Sequence, residues 1–560
     1  MNKKDLMLML IGVKFAASHA PKIVTIENGR VQGAKEEMHQ VVQWFGIPYA
    51  APAKGELRWR KPMPAPKMKG ILDCRKPPQE HNIQNFGSKT FGTEGELTLD
   101  ICRPDNKKKK LPVMVYFHGG NFQVGHAQEW MGNKFCQEKQ VVYVSVEYRL
   151  EAFGFINLPA LKTGDPMDDS GNFAILDCLA ALQWIQRNIE AFGGDPNNVT
   201  VSGHSAGGVC CLTMIISKLF KGLFHKVMTF NSPAVVCDHE KSELVFAHRF
   251  AKLALEDGIK ETEEEAVAWL TSREEADLAA VKEWLYGLDA MRVAKLFPLA
   301  GVRMHEFPTL FTDGYVIPKE GYNTTELNHV PLAVYASDDE FSAFVGVDPY
   351  FKKRLKINPF NPKTQAEFKF ATKYGSELYR HINSHYIGYQ LFDRYKAPIY
   401  VGNFVYGTSV GGVTKEFMQR HGAVHGIVLP FLTDQYKIPW KRGNDFFQHT
   451  GAECLSIIFC SSIKAFMVSG NPNCPDMEMH WKEWKPGDEQ EIRFDADRER
   501  CYVTEHYNNF THKALFDQYD ADTSVNPDVK DYIIHNVLNN RWFSKELDER
   551  YGNKSMWPEA

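Results

Sequence analysis

The sequence predicts an α/β fold around a mostly parallel sheet. Three observations predict it. Short runs rich in Val, Ile, Tyr and Phe alternate with longer segments of helical period. The runs are apolar throughout rather than alternating, as expected of strands covered on both faces. Two of them end directly in glycine-rich turns, where ligands bind in sheets of this kind.

The elements follow in order. "KIVTIENGRVQGAK" from Lys22 opens as a hairpin. "LPVMVYFHGG" and "QVVYVSVEYRL" are strands of the buried type. In "DSGNFAILDCLAALQWIQRNIEAFGG", Ile175, Leu176, Leu179, Leu182 and Ile185 recur at helical spacing, and Gly193-Gly194 ends the helix. The strand "NVTVSG", a turn at Ser205 and the apolar helix "GGVCCLTMIIS" come next. "HKVMTFNS", "VPLAVYASDDE" and "APIYVGNFVY" are further strands, separated by charged helical segments such as "KETEEEAVAWLTSREEADLAAVKEWL". The chain divides into an extension over residues 1–20 and one domain over residues 21–560, which includes an extended helical tail from about residue 503.

Composition narrows the function. Of 560 residues, 44% are hydrophobic and 24% charged, with a net charge of −4, so no broad basic field for nucleic acid is implied. The cluster Lys107 to Lys110 reads as a solvated turn. No run of about 18 uninterrupted apolar residues exists, so no membrane span is expected. Residues 1–20 carry lysines, an apolar run from Leu6 to Val13 and a small-residue end, loosely like a secretory signal. Asp5 and Lys14 argue against one, and a cytoplasmic location is expected, with secretion as the alternative. The eleven cysteines are scattered without a C-x-x-C, which argues against a zinc site and fits a reducing compartment. Four N-x-S/T triplets, at Asn198, Asn323, Asn509 and Asn553, carry little weight alone.

The chemistry centres on "VTVSGHSAGGVC", Val199 to Cys210. A strand followed by G-x-S-x-G is the pattern of a nucleophile elbow, which lifts a serine hydroxyl into a site. Alone it is short enough to be an ordinary turn. Acyl transfer also needs a base, an acid to orient that base, and N–H donors for the oxyanion. "YFHGGNF" supplies a donor loop after an earlier strand: Gly119 and Gly120 can turn their N–H groups inward, and Ala206 follows the nucleophile. The pair of motifs is a far stronger signal than either alone. By spacing, Asp338, Asp339 and Glu340 all compete as the acid, and His421 and His425 as the base.

Longer stretches carry a resemblance over nearly the whole chain after residue 20. "FGIPYAAPAKGELRWRKPMPAP", "VEYRLEAFGFI", "GNFAILDCLAALQWIQRNIEAFGGDPNNVTVSGHSAGG", "LFHKVMTFNSPAV" and "TDGYVIP" stand in the order of the type-B carboxylesterases, which include the cholinesterases, within the α/β-hydrolase superfamily. The chain resembles that family. The resemblance implies an α/β-hydrolase fold, with a large mostly parallel central sheet, flanking helices and helical insertions. It also implies a serine carboxylesterase acting on small to medium esters through an acyl-enzyme, with no metal or organic cofactor. It selects Glu340 in "PLAVYASDDEFSAF" as the acid and His425 in "RHGAVHGIVLPF" as the base, leaving His421 structural. Ser232 matches a buried serine near the triad. Phe122, beside the oxyanion glycines, is expected either to touch substrate or to fill the core. His204 stands where cholinesterases carry an acid; it either tunes the polarity of the site or fills the elbow.

Several family features are missing. Glu96 occupies a cysteine position, and Cys74 lies several residues from the place of its partner, so the first family disulfide is expected to be absent. Glu94 is expected to pair with Arg58. Val428 replaces a glutamate, and Gln79 to Gly95 lacks tryptophan, which argues against cholinesterase activity. Two other functions compete: a lipase-like hydrolase of longer acyl esters, and a non-catalytic binding protein. The retained serine, acid, histidine and glycines weigh against the last. Oligomeric state is left open.

Overall fold

The structure is a computed structural model that describes residues 19–86, 89–298, 306–358, 360–407, 422–433, 444–508, 510–539 and 545–553. The N-terminal extension, apart from its last two residues, lies outside the described residues, as does His421. Ile23–Ile26 and Gly29–Gln32 form the expected hairpin.

Among the described residues, eleven strands make the central sheet. In chain order they are β1 Ala34–Glu36, β2 Val41–Pro48, β3 Thr98–Pro104, β4 Leu111–Phe117, β5 Val142–Val146, β6 Gly194–His204, β7 Lys226–Phe230, β8 Leu332–Ser337, β9 Ile399–Phe404, β10 Gln490–Ala496 and β11 Cys501–Tyr507. Their spatial order is β11-β10-β9-β8-β7-β6-β4-β5-β3-β2-β1. From β5 through β10 the pairings are parallel, and both margins are antiparallel. Every residue of β4, β5, β7, β8 and β9 is buried. That burial on both faces explains the uninterrupted apolar runs.

The helices that matter for the site are α1 Phe173–Asn188, α2 Ala206–Ile216, α3 Ser342–Val347, α4 Pro349–Ile357, α5 Pro362–Ile382 and α6 Thr450–Ser469. Gly193, at φ 82°, terminates the α1 region in the left-handed conformation, as its position after the helical run predicts. The charged segment from Lys260 is helical as expected, in two helices, Glu263–Leu270 and Glu275–Gly287. A capping box between Thr262 and Glu265 fixes the start of the first.

Two features depart from the sequence reading, and a third bears on it. The stretch from about residue 503 was expected to be helical, but Cys501–Tyr507 is the antiparallel edge strand, and helix begins only at His512–Ala521. The strand's residues are exposed or only half-buried, which hides it from a reading based on apolar runs. Cys454 and Cys501 are joined in a disulfide that ties α6 to this strand, 47 residues apart in sequence. Finally, α6 is long and apolar enough to cross a membrane by length and composition. It lies instead against the sheet, with Leu455, Phe459, Ile463, Phe466 and Met467 buried beside Phe404 and Phe494.

Candidate active site

Ser205 stands at the junction of β6 and α2, with φ 54° and ψ −126°. An L-residue holds such angles only when its surroundings enforce them. The Ser205 N–H donates to the Phe230 carbonyl at 2.9 Å, and the Ser205 carbonyl accepts from Val209 at 3.0 Å. The Ser232 hydroxyl lies 2.9 Å from the Ser205 carbonyl and 2.8 Å from that of Phe230, and donates to them from beneath the turn. Ser232 therefore sits under the elbow, fully buried.

The glycines around Ser205 are spaces rather than hinges. A Cβ on Gly203 would lie 2.3 Å from the carbonyl carbon of Gly207, one on Gly207 would lie 2.0 Å from the Phe117 oxygen, and one on Gly208 would lie 2.1 Å from the Ser232 hydroxyl. The strand, the helix and the neighbouring strand end meet too closely for side chains. Gly207→Ala must push α2 away from β4. An ångström of displacement at a reacting group lowers turnover by about 100-fold. That loss is the expected result, measured as kcat on a soluble ester together with Tm.

The loop after β4 lies against the same turn: a Cβ on Gly119 would be 3.1 Å from that of Ser205. Gly120 has φ +108° and abuts the Val124 carbonyl. The loop is fixed from behind. His118 Nδ1 bonds the Gly119 carbonyl at 2.8 Å, and Tyr148 donates to the His118 carbonyl at 2.6 Å. Burial pushes the His118 imidazole down to about 3, so it is neutral and donates through Nδ1. With the carbonyls thus occupied, the N–H groups of Gly119, Gly120 and Ala206 have no acceptor among the described residues.

Glu340 follows β8 and is fully buried. Its Oε1 accepts from Asn383 at 2.7 Å and meets His425 Nδ1 at 2.8 Å, and its Oε2 accepts from Asn231 at 2.8 Å. Burial pushes the carboxyl up to about 8, against the pull of these donors. The competing acids are engaged elsewhere. Asp338 accepts from Asn403 at 2.9 Å and faces Arg380 at 3.6 Å, and Asp339 accepts from the Ala423 N–H at 3.0 Å.

A cavity of about 860 Å³ opens over this arrangement, bordered by Gly119, Gly120, His204, His425 and Gly426. His204 is part of its wall. The His204 ring centroid is 4.5 Å from that of His425, and its Nε2 is buried without a partner among the described residues. Burial, reinforced by His425, holds the imidazole well below its usual range and therefore uncharged. Phe122 is not on the wall; its ring meets Phe155 edge-on at 5.0 Å in the core. Arg58 and Glu94 form the expected pair, with two hydrogen bonds of 2.6 Å.

The sequence reading missed Asn231 and Asn383, whose amides hold the Glu340 carboxyl. It also missed the polar side of the cavity, where His81 and His126 stack at 4.1 Å beside Glu129. Their segments carry no motif, and only the fold brings them together.

A serine on a strand-to-helix elbow and a histidine anchored to a buried carboxylate, on a largely parallel sheet, define an α/β-hydrolase. Within that class, the chain belongs to the carboxylesterase family, whose model matches residues 20–388. The para-nitrobenzyl esterase of Bacillus subtilis is 34% identical over 245 residues, which is 42% of this chain and 49% of that protein. Carboxylesterase 5A of Canis lupus familiaris is 38% identical over 207 residues, 34% of this chain and 35% of that one. These alignments span about half the length of the relatives, or less. A Geobacillus stearothermophilus carboxylesterase structure superposes with a TM-score of 0.65 at 24% identity, covering 88% of this chain and 100% of the other.

Proposed function

We propose that the protein is a serine carboxylesterase acting on small to medium carboxylic esters. The observation that carries this reading is the buried Glu340 bonded to His425 at 2.8 Å beside the strained Ser205 turn. In this reading His425 takes the Ser205 proton as Oγ attacks the ester carbonyl. Glu340 fixes the imidazole tautomer and stabilises its charged form. The free N–H groups of Gly119, Gly120 and Ala206 stabilise the oxyanion. His425 then protonates the departing alcohol, and water, activated by the same imidazole, releases the acid.

The cavity supports a substrate of moderate size with an apolar portion. Phe86, Phe91, Val124, Trp130, Leu355 and Phe368 face it. The expected result with p-nitrophenyl esters is a kcat/KM maximum at short to medium acyl chains, falling towards palmitate. A maximum at palmitate would instead favour the lipase-like reading. No turnover at any length, with no fluorophosphonate labelling of Ser205, would favour the binding protein.

A further inference from the structure

The rim of the cavity carries apolar side chains that stand exposed among the described residues. Phe86 is 51% exposed, Phe91 48% and Val347 60%, and all three border the cavity. On the segment that follows Leu355, itself on the cavity wall, Ile357 is 76% exposed and Phe360 72%. Singly, exposed apolar residues are ordinary; gathered at one mouth, they mark a surface with a use.

The α4 side of that mouth is basic, although Glu129 also borders the cavity. Between Asp348 and Lys363 stand five bases, Lys352, Lys353, Arg354, Lys356 and Lys363, against the single unburied acid Asp348, in a chain of net charge −4. Helix α4 sorts them by face. Phe351 is buried, packed edge-on to Phe368 at 5.9 Å, and Leu355 points to the cavity. Lys352, Lys353 and Lys356 are exposed on the other side, leading to Ile357 at its end. Asp348 is occupied in capping the helix through the Tyr350 N–H at 2.9 Å.

We propose that this rim docks on an anionic lipid surface, with Ile357 and Phe360 entering the acyl region and Lys352, Lys353 and Lys356 at the headgroups. Basic residues with apolar tips suit such an interface. Protein interfaces are depleted of lysine, which argues against a protein partner as the occupant. Docking would hold the cavity mouth against the lipid, so esters dissolved in it reach Ser205 without crossing water; this last step rests on the esterase reading, while docking does not.

The test is co-sedimentation of the full chain with vesicles of phosphatidylcholine, alone or mixed with phosphatidylglycerol. Ser205→Ala serves as the binding form, so that no lipid is consumed. The expected result is at least about tenfold stronger partition onto the anionic vesicles, weakened by salt. Ile357→Asp with Phe360→Asp, and separately Lys352→Glu with Lys353→Glu and Lys356→Glu, should each lower it by about tenfold or more. In the Ser205 background, both sets should keep wild-type turnover of soluble p-nitrophenyl butyrate, which shows the fold intact. Equal partition onto both vesicle types, or binding unchanged in the variants, overturns the proposal. So does a dimer on gel filtration that Ile357→Asp with Phe360→Asp dissociates, because the rim would then be covered by a second copy. Failure to hydrolyse soluble esters would overturn the esterase reading and leave the vesicle result standing.

Discussion

Ser205→Ala is expected to lower kcat/KM on p-nitrophenyl butyrate by about 10⁴-fold or more, the scale on which acyl-transfer enzymes depend on their nucleophile. The residual rate should still exceed that of water, because the unpartnered N–H groups of Gly119, Gly120 and Ala206 are untouched. KM should change little if binding is set by the cavity wall. The variant also separates chemistry from folding. Alanine keeps the Cβ, so the strain of φ 54° and ψ −126° stays in place and Tm should be nearly unchanged. Ser205→Gly removes the same hydroxyl but relaxes the backbone, and should be the more stable of the two by about 1–3 kcal/mol. Equal loss of activity with a higher Tm in the glycine variant would show strain held at the site for the sake of the hydroxyl's position. A wild-type rate in Ser205→Ala would end the serine-esterase mechanism.

The parts legible in the sequence are those whose chemistry is local. Ser205 and the loop at Gly119 and Gly120 each follow a strand directly, so motif and context lie within one short stretch. The acid is different. Asp338, Asp339 and Glu340 are consecutive, and alternation along a strand cannot rank them because β8 ends at Ser337. Beyond the strand each carboxylate is claimed by a different distant partner: Asn403, the Ala423 amide and His425. Family resemblance selected Glu340, whereas the residues alone left the choice open. Asn231 and Asn383 were invisible for the same reason, being polar residues whose meaning comes from a carboxylate 109 and 43 positions away. The edge strand Cys501–Tyr507 and its disulfide to Cys454 were missed because none of its residues is buried and the pairing is long-range. The neutrality of His204 follows from burial, which the sequence does not display.

Glu340→Gln is expected to lower kcat by about 10⁴-fold while leaving the fold intact. The amide can be accommodated: Asn231 Oδ1 and Asn383 Oδ1 are buried without partners among the described residues, so rotating either side chain supplies an acceptor for the new N–H. What cannot be replaced is the capacity to become a carboxylate opposite the imidazolium as it forms. A glutamine that donates to His425 Nδ1 forces the ring proton onto the nitrogen that must accept from Ser205, and one that accepts does nothing to stabilise the imidazolium. Stability should move the other way, in a pH-dependent manner. Burial raises the folded-state Glu340 to about 8, above the ordinary unfolded value of 4.5. A raised folded value means stability that is fully present below about 4.5 and lost as pH rises through 8. Glutamine carries no such loss. The Tm difference, variant minus wild type, should therefore grow more positive from pH 5 to pH 9. The two measurements together separate a carboxylate retained for chemistry from one retained for the fold. Lost activity with a Tm gain that widens with pH assigns Glu340 to chemistry, at the expense of stability. A Tm that falls at every pH would mean that the Asn231–Glu340–Asn383 network holds β7 and β8 to α5, with catalysis depending on it only indirectly.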